Sequence, residues 1–161
     1  MSERPEESVE RVFLAVVDQS EELRVALRFA SLRAKNTGGR VALLYVIEPA
    51  DFQHWMAVED LMHDERRQEA EEVLRKFSAQ VQEWSGKTPV LYVREGKMRE
   101  ELLKLIDEDQ GISILVLAAA TGTAGPGPLV SSLAGKMSER LRVPLTVVPG
   151  NLTDEQIESL T

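Results

Sequence analysis

Apolar and polar residues follow one another in blocks that predict five strands separated by helices. The strand candidates are short and almost continuously apolar, as expected for strands of a parallel sheet with both faces covered. They lie at residues 12–17, 41–47, 90–94, 112–118 and 145–148. Pro89 directly precedes the third run, which places that strand nearer an edge of the sheet.

The intervening segments carry apolar residues at helical spacing. The predicted helices cover residues 21–36, 58–84, 98–108 and 129–141. We expect Ser20 to cap the first helix and Gly38 to end it in a left-handed conformation. Strand and helix alternate throughout, which predicts a doubly wound, Rossmann-like α/β fold: an open sheet of five mainly parallel strands in the order 3-2-1-4-5, with helices on both faces.

Both ends of the chain are polar. Residues 1–10 are acidic, do not resemble a signal peptide and are predicted to form a flexible leader. In the tail, 151–161, Thr153 and Gln156 form a capping-box pattern that predicts a short helix carrying Leu152, Ile157 and Leu160. No repeat or linker interrupts the chain, so residues 1–161 are expected to form a single domain.

Composition narrows the range of functions. The net charge of −8 argues against a nucleic-acid-binding surface, which needs clustered lysine and arginine. No apolar run approaches the roughly 20 residues of a membrane span. Cysteine is absent, which excludes thiolate chemistry and fits a reducing compartment. We expect a globular cytoplasmic protein with neither a membrane nor a nucleic acid as partner.

The stretch 112–136 is the strongest candidate for a binding site. A buried strand opens into a loop rich in glycine and proline, and an amphipathic segment follows. Such strand–loop–helix arrangements bind anions through backbone N–H groups and the helix dipole. Asp18, at the end of the first strand, could accept hydrogen bonds from ribose hydroxyls or share the capping of the first helix with Ser20.

Signatures of catalysis are missing from the sequence. Gly135 and Lys136 lack the spacing of a Walker A loop, and the first strand–helix turn lacks the glycines of a dinucleotide fingerprint. The two histidines, His54 and His63, have no second histidine four residues away, so a metal site is not expected. No nucleophile–base pair is evident. Catalysis is therefore not expected.

In its order of motifs, the chain resembles the universal stress protein family over about residues 10–149. The segments that carry the resemblance are Val16-Val17-Asp18-Gln19-Ser20-Glu21, Ala26-Leu27-Arg28-Phe29-Ala30, Leu43-Leu44-Tyr45-Val46-Ile47-Glu48, Val93-Arg94-Glu95-Gly96 and Val143-Pro144-Leu145-Thr146-Val147-Val148. The resemblance implies a homodimer that pairs through the last strand, with Leu145 and Val147. The C-terminal tail could cover the same exposed edge, within one chain or across the twofold axis.

The resemblance also implies two functional branches. One binds ATP or a related adenine nucleotide, with Mg²⁺ in the case of ATP, and the other binds no nucleotide. In the first branch Asp18 matches the ribose position and Val46 the backbone position that contacts adenine. The phosphate loop follows the pattern G-x-x-G-x9-G-[S/T].

That phosphate-loop pattern can be placed on this chain in two registers. The first uses Gly122, Gly125 and Gly135 but has Lys136 where serine or threonine belongs, and it leaves little room for a final helix before Pro144.

The second register keeps the family's spacing to Pro144 without a gap. It places Ala118 and Thr121 at the first two glycines and Ser131-Ser132 at Gly-[S/T]. The predicted helix 129–141 favours this register, with Gly122, Gly125 and Gly127 supplying backbone N–H groups in a rebuilt loop.

Three functions remain. A small stress-response domain would bind an adenine nucleotide at the carboxyl ends of the strands. A nucleotide-free dimeric interaction protein would instead fill the cleft with Pro126-Gly127-Pro128. The third candidate function is a slow ATPase, and only the resemblance supports it. Phe52, Trp55 and Met56 could form a lid over a nucleotide, form part of a partner surface, or simply cover the end of the sheet.

Overall fold

The computed structural model describes residues 9–49 and 56–161 and contains five parallel strands. The strands are β1 (Val12–Val16), β2 (Arg40–Ile47), β3 (Val90–Glu95), β4 (Ile112–Ala119) and β5 (Leu145–Pro149). Their order is β3-β2-β1-β4-β5. The predicted fold class and strand order are confirmed.

Helices cover both faces of the sheet. They are α1 (Leu23–Thr37), α2 (Met56–Ser85), α3 (Met98–Glu108), α4 (Pro128–Ala134) and α5 (Asp154–Leu160), and a single 3-10 turn spans Ser138–Arg140. Because side chains alternate along a strand, Phe13 faces the core under α1, α2 and α5, while Leu14 faces the core under α3 and α4. No helix of the described residues is long and apolar enough to cross a membrane.

The two ends of α1 differ in how well the sequence predicted them. Gly38 ends the helix as expected, with a φ of 70° and its N–H bonded to the carbonyl oxygen of Ala34. The prediction that Ser20 caps the helix is wrong. The helix begins at Leu23 with no side-chain cap, and the Ser20 hydroxyl donates to the carboxylate of Asp18 at 2.5 Å. Side chains of this kind often compete with capping in local turns.

The prediction of one helix over residues 129–141 is also wrong. Helix α4 ends at Ala134, and Gly135 leaves the helical conformation with φ −105° and ψ −111°. A Cβ on Gly135 would lie 2.7 Å from the carbonyl oxygen of Ser131, so glycine permits this close approach at the helix end. Only the 3-10 turn then precedes Pro144.

The tail forms the predicted helix. Thr153 and Gln156 make both hydrogen bonds of the capping box. Ile157 is fully buried against the α1 side of the core, whereas Leu160 is 60% exposed. Ion pairs join Arg24 to Asp154 at 2.8 Å and Arg28 to Glu158 at 2.7 Å, so α5 packs on α1 of the same chain.

The predictions for residues 1–8, Phe52, His54 and Trp55, and for the side chain of Met56, lie outside the described residues.

Candidate functional site

The candidate site lies where the chain changes direction across the sheet. β1 pairs with β2 on one side and with β4 on the other, so the loops that follow β1 and β4 diverge and leave a crevice between them. A cavity of about 190 Å³ occupies this position. Its polar wall includes Asp18, Ser20 and Glu22, and its other wall includes Ala118 and Gly127. Ligands of parallel sheets bind at such switch points.

Asp18 both shapes the turn after β1 and remains exposed at the cavity. Its Oδ1 atom accepts the backbone N–H of Ser20 at 2.9 Å and the Ser20 hydroxyl at 2.5 Å. The prediction that Asp18 shares the capping of the first helix with Ser20 is wrong, because that helix begins at Leu23 with no side-chain cap. Among the described residues no hydrogen bond reaches the Oδ2 atom of Asp18. The same carboxylate can hold the turn and accept a hydroxyl from a ligand.

The glycine loop extends from the end of β4 and then returns to it. The backbone N–H of Ala120 donates to the carbonyl oxygen of Pro126 at 2.9 Å, which closes the loop. Gly122 and Gly125 have φ values of 110° and 90°, which side chains rarely adopt, and both are exposed together with Thr121. Gly127 lies after the closure and lines the cavity.

Val46 and the two serines of α4 do not line this cavity. Val46 is buried and lines a separate depression of about 170 Å³ with Gln19 and Glu48, next to the end of β1. Ser131 and Ser132 lie on α4, and the N–H of Ser131 donates to the carbonyl oxygen of Gly127 at 3.0 Å. The structure thus joins Asp18, Ala118 and Gly127 in one cavity. The remaining predicted positions do not line this cavity.

The end of α4 bears on the register of the phosphate pattern. The gapless register was favoured by a helix that would run to residue 141, and that helix stops at Gly135. The register that uses Gly122, Gly125 and Gly135 requires little helix before Pro144, as observed. Both registers remain open, but the helical argument no longer separates them. In the first register an exposed lysine, Lys136, takes the place of the family's hydroxyl.

Sequence reasoning missed one contact at this site. Arg99, in the first turn of α3, donates from Nη1 to the hydroxyl of Ser132 on α4 at 3.2 Å. The two residues are 33 positions apart, and no motif connects them. Nearby, the Glu48 carboxylate accepts the N–H of Met98 at 3.3 Å and so caps α3 from the end of β2. Both contacts tie the start of α3 to neighbouring elements, α4 and the end of β2.

A second polar cluster ties α2 to the end of β3. His63 Nε2 lies 2.6 Å from Glu95 Oε1, and Arg67 approaches the same oxygen at 3.5 Å. The hydrogen bond to Glu95 raises the pKa of His63 above its ordinary value. Within the residues that the structure describes, no group of three or more metal-ligating side chains could hold an ion.

Comparison with known proteins identifies a family. The model of the universal stress protein family matches residues 11–149. The fold is similar to that of the universal stress protein UspA from Lactobacillus plantarum (17% identity, 87% of this chain and 97% of that one, TM-score 0.70). No curated protein matches.

Two similar structures hold nucleotides. One is a universal stress protein in complex with cAMP (16% identity, 89% of this chain and 100% of that one, TM-score 0.63). The other is the universal stress protein from Archaeoglobus fulgidus in complex with dAMP (17% identity, 86% and 97%, TM-score 0.60). At these identities the similarity demonstrates the shared fold.

Proposed function

The chain belongs to the universal stress protein family, and we propose that it binds an adenine nucleotide in the crevice between the ends of β1 and β4. The observation that carries this proposal is the cavity in which Asp18 meets Ala118 and Gly127 at the switch point of the sheet. Two structural neighbours are complexes with cAMP and dAMP, and both ligands are adenine nucleotides.

Each part of a nucleotide has a candidate partner. The exposed carboxylate of Asp18 would accept the ribose hydroxyls, and the backbone at Val46 would contact the adenine edge. The backbone N–H groups of the loop at Gly122 and Gly125 would face the phosphate, as in other glycine-rich anion sites. The cavity, at about 190 Å³, is smaller than ordinary ligand pockets, whose volumes begin at roughly 300 Å³. It would therefore hold the ribose region, with the base over the neighbouring depression.

Calorimetric titration tests the proposal directly. Adenosine, AMP, cAMP and ATP with and without Mg²⁺ are titrated into the wild-type protein, with GMP as the competitor base. We expect saturable binding of at least one adenine nucleotide and a large loss of affinity in Asp18→Ala. Asp107→Ala, an exposed carboxylate on α3, serves as the control and should bind normally. The absence of heat from every nucleotide at millimolar concentration would refute nucleotide binding.

A second candidate is a nucleotide-free dimeric interaction protein. Pro126 and Pro128 contribute to the cavity wall together with Gly127, so the loop itself narrows the crevice. β5 forms one edge of the sheet, and its Val147 is 39% exposed. An apolar edge strand is normally paired or covered. We infer that β5 pairs with a second copy of the chain in this case.

Light scattering distinguishes the two edges of the sheet. Val147→Lys on β5 should convert a dimer to a monomer. Leu91→Lys on β3, the opposite edge, is the matched control because Leu91 is 44% exposed. A monomeric wild-type protein at micromolar concentration would exclude this assembly. A dimer that survives Val147→Lys but not Leu91→Lys would place the contact on β3.

A further inference from the structure

The contact between Arg99 and Ser132 connects α3 to α4, whose first turn lines the cavity. Arg99 is exposed in the first turn of α3, and Ser132 is half-buried on α4. The guanidinium donates to a hydroxyl at 3.2 Å and is therefore held by a neutral partner. Among the described residues no carboxylate lies within ion-pair distance of Arg99. A charged donor held in this way can exchange its neutral acceptor for an anion.

We propose that Arg99 is the residue that binds the phosphate group of the nucleotide, with Ser132 holding its side chain in position before the ligand arrives. This inference rests on the proposed function and identifies the part of the ligand that α3 recognises. It makes the phosphorylated nucleotide, rather than the nucleoside, the preferred ligand of the crevice.

The distribution of charge around the crevice supports this assignment. The loop from residue 120 to residue 129 contains no charged side chain. The cavity itself presents the carboxylates of Asp18 and Glu22, which repel a phosphate. Backbone N–H groups alone would therefore have to offset both the phosphate charge and this repulsion. The guanidinium of Arg99, held by Ser132 on the helix whose first turn lines the cavity, supplies the missing positive charge.

The chemistry of arginine suits phosphate binding better than it suits a purely structural contact between two helices. The planar guanidinium can donate two parallel hydrogen bonds to a phosphate, and such charge-assisted bonds are stronger than a bond to a neutral hydroxyl. A phosphate would therefore draw Arg99 from Ser132. If the contact served only to join α3 to α4, Arg99 would affect stability but would not distinguish AMP from adenosine.

The test compares phosphorylated and unphosphorylated ligands by calorimetry. For Arg99→Ala we expect AMP affinity to fall about tenfold or more, as for the loss of a charge-assisted hydrogen bond. Adenosine affinity should stay within about twofold of wild type. Arg99→Lys should recover part of the AMP affinity, because lysine keeps the positive charge but cannot donate two parallel hydrogen bonds from a planar group. Lys104→Ala removes an exposed cation from the same helix and should change neither affinity.

Two further measurements separate ligand contact from a structural role. The salt dependence of AMP binding should weaken in Arg99→Ala but persist in Ser132→Ala, which keeps the charge. Unchanged AMP affinity in Arg99→Ala, or equal losses for AMP and adenosine, would overturn the assignment to phosphate while leaving nucleotide binding intact. If the wild-type protein binds no nucleotide at all, the proposed function fails, and this inference fails with it.

Discussion

The backbone N–H of Ala120 lies 2.9 Å from the carbonyl oxygen of Pro126, and this hydrogen bond closes the loop that presents Gly122 and Gly125 to solvent. The loop is thus a defined turn built on the end of β4. Its shape depends on two glycines with positive φ. A Cβ added at either glycine would meet no neighbouring atom, so there is room for a side chain at both positions. Backbone conformation, not space, is what these positions require.

Gly122→Ala and Gly125→Ala should each lower the free energy of unfolding by about 1–2 kcal/mol, because alanine is strained at such φ values. Ala124→Ser, at an exposed position between them, should be close to neutral. Denaturant unfolding measures the stabilities. If both glycine variants are as stable as wild type, the loop does not hold this conformation in solution.

Ile157→Ala should destabilise the protein far more than Leu160→Ala. Ile157 is fully buried between α5 and the core, so its truncation leaves a cavity and costs about 2–4 kcal/mol. Leu160 is 60% exposed, and its truncation should cost less than about 0.5 kcal/mol. Thermal and urea unfolding give both values. Equal effects would show that α5 does not pack on α1 as described.

The attachment of α2 to β3 should weaken as pH rises. Glu95 raises the pKa of His63 in the folded protein above the ordinary value of 6.5, with a smaller contribution from Asp64 and an opposing one from Arg67. The contact between protonated His63 and Glu95 therefore contributes fully to stability below pH 6.5, and this contribution is lost as pH rises through the raised pKa of His63.

An NMR titration of the two imidazoles measures this directly, with His63→Gln assigning the signals. Glu95→Gln should return the pKa of His63 toward 6.5, and Asp64→Asn should move it less. A pKa that does not respond to Glu95→Gln would contradict the contact.

Gly150→Ala should be strongly destabilising, although Gly150 is not among the glycines with positive φ. A Cβ at this position would collide with the carbonyl oxygen of Ala119 and lie 3.1 Å from the Cβ of Glu22. Relief of that collision requires a backbone shift at the end of β4, and we expect a loss of about 1–3 kcal/mol. Asn151→Ala, at the next and exposed position, is the control. A fully stable Gly150→Ala protein would show that β4 and the turn after β5 do not approach so closely.

The sequence contained most of the fold because the information that specifies it is local. Blocks of apolar residues mark β1 to β5, and the periods within them distinguish strands from helices. The capping box at Thr153 and Gln156 and the helix end at Gly38 depend on residues only a few positions apart. Each can therefore be recognised from its own neighbours. The matching order of motifs indicated the family for the same reason.

Local patterns misled where two short-range preferences compete. Ser20 is a good cap by type, but its N–H and its hydroxyl both donate to Asp18 in a local turn, and the helix starts only at Leu23. Apolar residues continue at helical spacing past Gly135, but the chain turns there at a position where a Cβ would press on Ser131. The outcome depends on small differences in backbone energy that a periodic pattern does not contain.

By itself, the sequence determined the sheet, its helices and the identity of the loop that follows β4, since these depend on neighbours along the chain. Only the tertiary structure decided which side chains meet at the crevice. Asp18 and Gly127 share a cavity because β1 and β4 are adjacent in the sheet. Arg99 reaches Ser132 because α3 and α4 cover the same face. Such contacts join residues far apart in sequence, and packing alone brings them together.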